Sequence, residues 1–540
     1  MGNSWRGLGL SFAVCSCAFD SSGMGGSGAM SVGGSGTSEG ATTGLDSSMT
    51  SLTSATAADT SGPATDTATS DTDSSCPAGN IGCSCLAGEC HDELVCVAEV
   101  CTSASCGDGI VQEGEECEPR VGKGAEAGCS EECTYLRGAR SIALGADHTC
   151  VVTQTGGLRC WGNGDRGKTG LGTTASVGLL RGEPASAPNV DVGGDVDRVA
   201  LGTGFSCALR ETNDVVCWGF RDAGRLGDGA SLPMEDIADE RGETAGELGP
   251  LMMPGPTVDL AVGGSHACAL RDTGQVYCWG SWTAGKLGYG MEGDVGESNT
   301  PSSVGPVPMP EGFAPRQLAA GAGHTCAMSD DGRVLCWGDA ATGILGTMSA
   351  EDIGDDEPAS VGGVIELGGA AQAISAGSQH TCALLIDGVV RCWGLGDNGR
   401  LGYGNSDDVG DDEDPGAFTV ELPTTAMQVS AGRAHTCALL DGGDVLCWGE
   451  GSNGQLGQAG TDSIGEMESL INVEAVIVDD DRGASVIAVE AGGDHTCAVL
   501  SDGRVRCWGA ASEGQLGYGN DDKIGDDEVP DAAGDVDFGP

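Results

Sequence analysis

The sequence predicts an all-β protein assembled from seven repeated units, and three observations lead to that class. A phrase close to H-T-C-A-L-x-x-x-G-x-V-x-C-W-G recurs seven times between residues 148 and 509, complete in His380–Gly394 and His495–Gly509. Its tryptophans (Trp161, Trp218, Trp279, Trp337, Trp393, Trp448 and Trp508) return every 55 to 61 residues. A period of this size marks a repeat architecture, in which each unit buries its apolar face against its neighbours. Within every unit two cysteines stand ten residues apart with a turn residue between them, the spacing of a tight β-hairpin.

Composition narrows the function before any motif does. The chain carries 81 acidic and 25 basic residues, a formal net charge of −56. Such a surface repels nucleic acid and anionic membranes, because phosphate binding needs clustered Lys and Arg. No Lys or Arg occurs between Gly7 and Pro119. Of the 26 cysteines, fourteen lie in the repeats, ten between Cys76 and Cys133, and two, Cys15 and Cys17, near the start. Even numbers in each folded region are what an oxidising compartment produces.

Residues 1–17 read as a lipoprotein-type signal. One Arg precedes a short apolar run, Gly7–Val14, far too short to span a membrane. The following Val14-Cys15-Ser16-Cys17 resembles a bacterial lipobox. Cys17 is the better candidate anchor, since Ser16 before it is small whereas Val14 is β-branched. Ala18 follows it rather than Asp, which in lipoproteins accompanies sorting to the outer membrane. An ordinary cleaved signal is the alternative. The Met-Gly start is no myristoylation signal, because residue 6 is Arg. Residues 18–75 are Ser, Thr, Gly, Ala and Asp with almost no aromatic side chain, which cannot offset backbone entropy and predicts a disordered linker. As a flexible coil it spans roughly 40 Å, enough to hold a domain off a membrane.

Residues 76–135 form a cysteine-rich module: six cysteines lie in 76–101 and four in 106–133. Segments this dense cannot build a core and need disulfides. Six cysteines allow about 15 pairings and four about 3, so the connectivity stays open. The stretch Cys106–Cys117 (CGDGIVQEGEEC) resembles a Cys-rich repeat of myxobacterial-type surface proteins. There Asp-Asp-Gly-Asn usually follows, whereas Glu118-Pro119-Arg120 follows here, so a cation-binding role does not carry over.

In the repeats, a three-residue hairpin loop makes the paired cysteines direct cross-strand neighbours on one face. The last loop position then needs positive φ, and it is Gly156, Asn213, Gly274, Gly332, Gly388, Gly443 and Gly503. Seven disulfides are therefore expected: Cys150–Cys160, Cys207–Cys217, Cys268–Cys278, Cys326–Cys336, Cys382–Cys392, Cys437–Cys447 and Cys497–Cys507. Zinc is the competing reading, with His148, Cys150 and Cys160 as ligands. The second repeat argues against it, because Phe205 replaces the histidine while Cys207 and Cys217 remain. After Trp-Gly each repeat runs to a Leu-Gly at Leu171, Leu226, Leu287, Leu345, Leu401, Leu456 and Leu516, eight residues beyond the Trp in six repeats and ten in the first. Three of these turns match G-x-G-x-x-G, but none opens a helix within a βαβ unit, so no dinucleotide site follows.

From about residue 138 to 540 these features resemble the regulator of chromosome condensation repeat, whose usual phrase is G-x-x-H-[ST]-x-A-L-x-x-x-G-x-V-[YF]-x-W-G followed by G-x-L-G. The resemblance implies a seven-bladed β-propeller spanning 138–540, each blade a four-stranded antiparallel sheet. The paired cysteines depart from the usual phrase and fit an exported branch of the family. Ring closure is expected from a strand near Asp535–Phe538 joining the blade of the opposite terminus.

No residue stands out for catalysis. His148, His266, His324, His380, His435 and His495 occupy one repeat position, which predicts a structural role such as a hydrogen bond to a neighbouring turn. No Ser-His-Asp set, His-Glu-x-x-His or phosphate loop is present. Acidic loops (Asp407, Asp408, Asp411, Asp412, Glu413; Asp521, Asp522, Asp526, Asp527, Glu528) read as solvated, turn-capping acids, with calcium as the alternative. Trp282 is the one unpatterned repeat-region tryptophan and a candidate contact. The expected function is an exported, lipid-anchored surface propeller that serves as a protein-interaction scaffold through its variable rim loops. Its partner is an unknown protein or cell-envelope ligand; no nucleic acid, metal or cofactor is expected, the membrane is met only through the anchor, and the chain is a monomer. The alternatives are a calcium- or glycan-binding surface protein and a cell-envelope enzyme with its site in the rim loops.

Overall fold

The computed structural model of the chain describes residues 94–97, 100–103, 138–230, 235–479 and 483–539. The expectations for Cys17, for the linker and for disulfide pairing in 76–133 lie outside the side chains described. Within the cysteine-rich module, β1 (Leu94–Val97) pairs antiparallel with β2 (Val100–Ser103), setting Cys96 opposite Cys101.

The rest is a seven-bladed propeller: seven antiparallel sheets follow one another and close into a ring. In the first blade, β3 (Ala139–Leu144), β4 (His148–Thr153) and β5 (Leu158–Gly162) pair in order. The same three strands recur six times, the first of each being Val196–Leu201, Thr257–Val262, Pro315–Ala320, Ala371–Ala376, Ala426–Ala431 and Val486–Ala491. These first strands touch one another around the ring and so lie innermost. The hairpin register is the one the cysteine spacing demands, each pair directly opposite. Seven disulfides join the pairs across Cα separations of 4.0 to 4.1 Å. The closing turn residue has positive φ in every blade, from +64° at Asn213 to +93° at Gly443.

Among the described residues the expected fourth strand is absent as a continuous element. Opposite the outer edge of the third strand the chain touches down at two points: Val177 pairs with Gly162, and the Val190 N–H donates to the Leu158 carbonyl at 2.8 Å. Between them, three blades use a tyrosine instead of a strand. The Tyr289 and Tyr403 hydroxyls accept from the N–H and donate to the C=O of Cys278 and Cys392, so one phenol satisfies both edge groups. Tyr518 accepts from the Cys507 N–H and donates to the Gly534 carbonyl. Gly-rich turns and acidic loops supply too few consecutive extended residues for a ladder there, yet buried edge groups still need partners.

The blades are locked by a contact that repeats. Each Trp is fully buried, and its indole N–H donates to a carbonyl in the preceding blade: Trp218 to Lys168, Trp279 to Arg225, and so on to Trp508 with Gln455. Burying such a side chain contributes roughly 4–6 kcal/mol at ~25 cal/mol/Å². The ring closes through the same bond, from Trp161 to Gln515 at 2.9 Å. This contact also corrects the Leu-Gly register of the first repeat. The carbonyl used is always that of the residue before Leu, and in the first blade it belongs to Lys168, so Thr169-Gly170 takes the Leu-Gly place and Leu171 lies two residues beyond. Thr169 is fully buried there.

The C-terminal segment does not join the opposite blade as expected. The Val536 N–H donates to Val505 within the seventh blade at 2.9 Å, the counterpart of Val190 on Leu158. Its last described residues reach the first blade: Phe538 stacks on Trp161 with ring centroids 6.1 Å apart, and Gly539 lies against Ala185. The segment is held by Arg506, whose side chain is 1% exposed and binds Asp479, Asp531 and Asp535. Arg504 shares Asp479 and Asp535. Replacing Arg506 by Ala leaves the Asp479 carboxylate, itself 2% exposed, without half its cation shell. Breaking a buried pair from one side costs about 3–5 kcal/mol. The R506A variant is expected to melt at lower temperature and to be clipped within residues 530–539 by protease; a protease-resistant tail would refute the clamp.

Candidate functional site

The six patterned histidines form an inter-blade ring. Each is buried, and its Nε2 meets a hydroxyl on the middle strand of the next blade: His148 with Ser206 (3.0 Å), His266 with Thr325 (2.7 Å), His324 with Thr381 (2.8 Å), His380 with Thr436 (2.8 Å), His435 with Thr496 (2.9 Å) and His495 with Thr149 (2.9 Å). Where the acceptor is seen, that hydroxyl donates onward to the carbonyl that also receives the Trp indole, as Thr325 does to Lys286. Nε2 therefore carries the proton. The one blade that lacks the histidine, at Phe205, faces Ala267, where every other blade has Ser or Thr. Donor and acceptor are lost together, the signature of a structural pair. The conserved spacing Gly-x-x-His in this chain has a steric cause: a Cβ on Gly321 would stand 2.0 Å from the His324 ring and 2.7 Å from the Gly377 carbonyl of the next blade.

Burial is the main force on these imidazoles and holds all six well below the ordinary value, to about 3 for His324, His435 and His495. Their Nδ1 atoms are buried without a hydrogen-bond partner, the Asp147 carboxylate standing 4.0 Å from that of His148. They hold the ring together and are not available for acid–base chemistry. The fourteen repeat cysteines are consumed in disulfides, which removes the zinc reading.

A further departure from the seven-fold pattern lies on the innermost strands, where the repeat phrase did not reveal it. Opposite the first cysteine of each hairpin the innermost strand carries Ala143, Ala200, Ala261, Ala319, Ser375 and Ser430, but Glu490 in the seventh blade. Glu490 is 2% exposed and takes hydrogen bonds from Gln428 (3.0 Å) and Ser430 (2.9 Å). Burial raises its carboxyl well above the usual range. With both oxygens held and solvent excluded, it serves to tie the sixth blade to the seventh. Aligning the first strands, rather than the hairpins, exposes it in the sequence.

The acidic loops divide. Asp408 caps a turn, accepting the Gly396 N–H at 2.8 Å, as Asp294 and Asp352 do in their blades. Asp411, Asp412 and Glu413 come within 4.8 Å of one another, as do Asp526, Asp527 and Glu528; Asp355, Asp356 and Glu357 form a third such triad that the sequence reading passed over. Asp407, Asp521 and Asp522 stand outside them. Hydrogen bonding from the neighbouring Asp raises Glu357 to about 7 and Glu413 to about 6, and burial raises Glu528 to about 7. Trp282 is half-buried and packs against the core, with its backbone N–H on Asp294.

Part of the exposed surface is apolar and takes no share in the packing. In every blade the second residue of the innermost strand points to solvent. The seven are Arg140, Asp197, Val258, Arg316, Gln372, Met427 and Ile487. Met427 and Ile487 are neighbours, and between them lies a groove of about 270 Å³ floored by Leu439, Leu440 and Val486. The rim loops also expose large side chains, among them Leu180, Met252, Val361 and Met467.

Comparison with known proteins places this geometry. A family profile described as the RCC1-like domain matches residues 178–534, and one described as the regulator of chromosome condensation (RCC1) repeat matches 139–168. The chain is 29% identical over 387 residues to the ultraviolet-B receptor UVR8 of Arabidopsis thaliana, covering 70% of this chain and 78% of that protein. It is 29% identical over 330 residues to the human E3 ubiquitin-protein ligase HERC2, but spans only 6% of that protein's length. Among solved structures, human WBSCR16 superposes with a TM-score of 0.54 at 18% identity, covering 68% of this chain and 88% of that one. Prp20p of Saccharomyces cerevisiae gives 0.53 at 22%, covering 73% and 87%.

Proposed function

Since this chain belongs to the RCC1-like repeat family, we propose that it is a protein-interaction scaffold, exported and held at the outer membrane or cell surface by a lipid on Cys17. One contrast carries the reading. Every repeated Trp, His and Cys is spent on packing, while apolar side chains stay exposed on a ring whose hairpins are each stapled by a disulfide. Rigid scaffolds with exposed apolar patches mark binding surfaces. The lipobox-like start, the long polar linker and the buried disulfides support export, because such bonds persist in oxidising compartments. The net charge of −56 speaks against nucleic acid as the ligand. Acting alone, the chain presents its surface as a monomer to one protein or cell-envelope component.

The test is chemical cross-linking of the oxidised full-length protein to envelope extract of its source cells, with and without millimolar calcium. Capture of one stoichiometric protein is expected. Recovery of no partner, accompanied by turnover of an envelope glycan, would overturn the scaffold reading. Capture that needs calcium would assign the acidic triads to that contact.

A further inference from the structure

We infer that the groove between the sixth and seventh blades, at the hairpin-turn end of the ring, docks a basic segment of a partner protein that carries apolar side chains between its cations. The inference rests on the scaffold reading and specifies the chemistry of its partner.

The groove is built by a local exception in the repeat. Met427 (59% exposed) and Ile487 (38% exposed) stand on adjacent innermost strands, at a position that is charged or polar in four of the other five blades. The strands are pinned side by side, since Gln428 bonds both the N–H and the C=O of Val489. The turn beside them is Gly442-Gly443, where a Cβ at Gly442 would meet nothing within 4 Å, so the turn itself places no side chain over the groove. On the other flank the fifth-blade turn is bonded to this strand, Ala426 N–H to Gly388 O at 3.0 Å, and it carries Ile386, 70% exposed.

Charge decides the occupant. The turns 385–389, 440–444 and 500–504 carry Asp387, Asp441, Asp444 and Asp502, with Arg504 as the one basic residue. Arg504 is already bound by Asp479, Asp502 and Asp535. Asp387, Asp441 and Asp444 are exposed and form no ion pair among the described residues. An apolar groove rimmed by unpaired carboxylates complements Lys or Arg set beside apolar side chains. A second copy of this chain would bring another −56 against the same rim, and an anionic membrane would be repelled likewise.

The probe is a fluorescein-labelled peptide, Lys-Lys-Leu-Lys-Leu-Lys-Lys, compared with the same peptide carrying Ser for Leu, read by anisotropy on the oxidised full-length protein. The Leu peptide is expected to bind about tenfold more tightly than the Ser peptide. The double variant Met427→Ser, Ile487→Ser should remove that advantage and leave the Ser peptide unchanged. Asp441→Asn with Asp444→Asn should weaken both peptides and flatten the salt dependence. Val361→Ser, an exposed rim position, serves as the control and should change neither. All these side chains are exposed, and near-ultraviolet circular dichroism verifies the fold. Equal affinity for the two peptides, or a Leu-peptide affinity untouched by the Met427/Ile487 variant, overturns the inference. In that case a partner captured from envelope would still uphold the scaffold, whereas groove binding with no captured partner and turnover of an envelope glycan would uphold the groove's chemistry and sink the scaffold.

Discussion

Lowering the pH from about 7 towards about 3 is expected to unfold the propeller in a cooperative step that takes up six protons at histidine. In the unfolded chain His148, His266, His324, His380, His435 and His495 titrate near pH ~6.5. In the fold burial keeps them neutral well below that value, to about 3 for His324, His435 and His495. The unfolded state thus binds more protons throughout that window, and stability falls as pH falls. Each histidine costs about 1.4 kcal/mol per pH unit, so six together cost ~8 kcal/mol per unit once all are charged in the unfolded chain. Glu357, Glu413, Glu490 and Glu528 act in the opposite sense. Their raised values add stability as pH falls towards ~4, below which the unfolded carboxyls are protonated too and the gain ends. The histidine slope then stands unopposed, and the transition should fall between about pH 5 and pH 3. The seven buried tryptophans report it by fluorescence, and potentiometry counts the protons. A native tryptophan signal at pH 3, or proton uptake confined to carboxylates, would show that these histidines do not carry the ring.

The second large effect belongs to the disulfides. Each closes a hairpin with a sequence separation of 10. Constraining a loop of that length contributes roughly 2.5–3 kcal/mol in the chain-entropy account. Seven separate hairpins sum to roughly 20 kcal/mol, more than the net stability of ordinary domains. All fourteen repeat cysteines are 2% exposed or less, so a reductant reaches them only when a blade opens. The native protein should therefore resist both dithiothreitol and iodoacetamide. Once denatured and reduced, it should take up fourteen alkyl groups at the repeat cysteines and fail to regain the propeller until reoxidised. Alkylation followed by mass spectrometry reads both states. Free thiols at these positions in protein trapped straight from its source cells would contradict export as well as the stability assignment.

Much of this was legible along the chain. The ten-residue cysteine spacing and the Gly or Asn at the turn determined strand order and register within each hairpin, because both depend on contacts among near neighbours. The count of seven units came from the tryptophan period for the same reason. The first-repeat register was misread at Leu171, since a Thr at a buried Leu site has no apolar signal and only the Trp218 bond to Lys168 identifies it. The outer strand was overestimated, because a tyrosine hydroxyl can satisfy an edge that a strand would otherwise fill, and nothing in strand propensity shows that substitution.

Contacts between blades were decided by the tertiary structure alone. The His–Thr ring joins residues 56 to 61 apart, and 346 apart at the closure between His495 and Thr149. The paired loss at Phe205 and Ala267, the Glu490 tie and the Arg506 clamp on the C-terminal segment depend on which blade lies beside which. So does the groove at Met427 and Ile487, whose exposure follows from the innermost strands lying edge to edge around the ring. Sequence by itself determined the repeated hairpin, where the interacting groups are a few residues apart and their geometry is local. Tertiary structure decided how seven hairpins close and what surface they leave uncovered, because those contacts arise only when distant units share one interface.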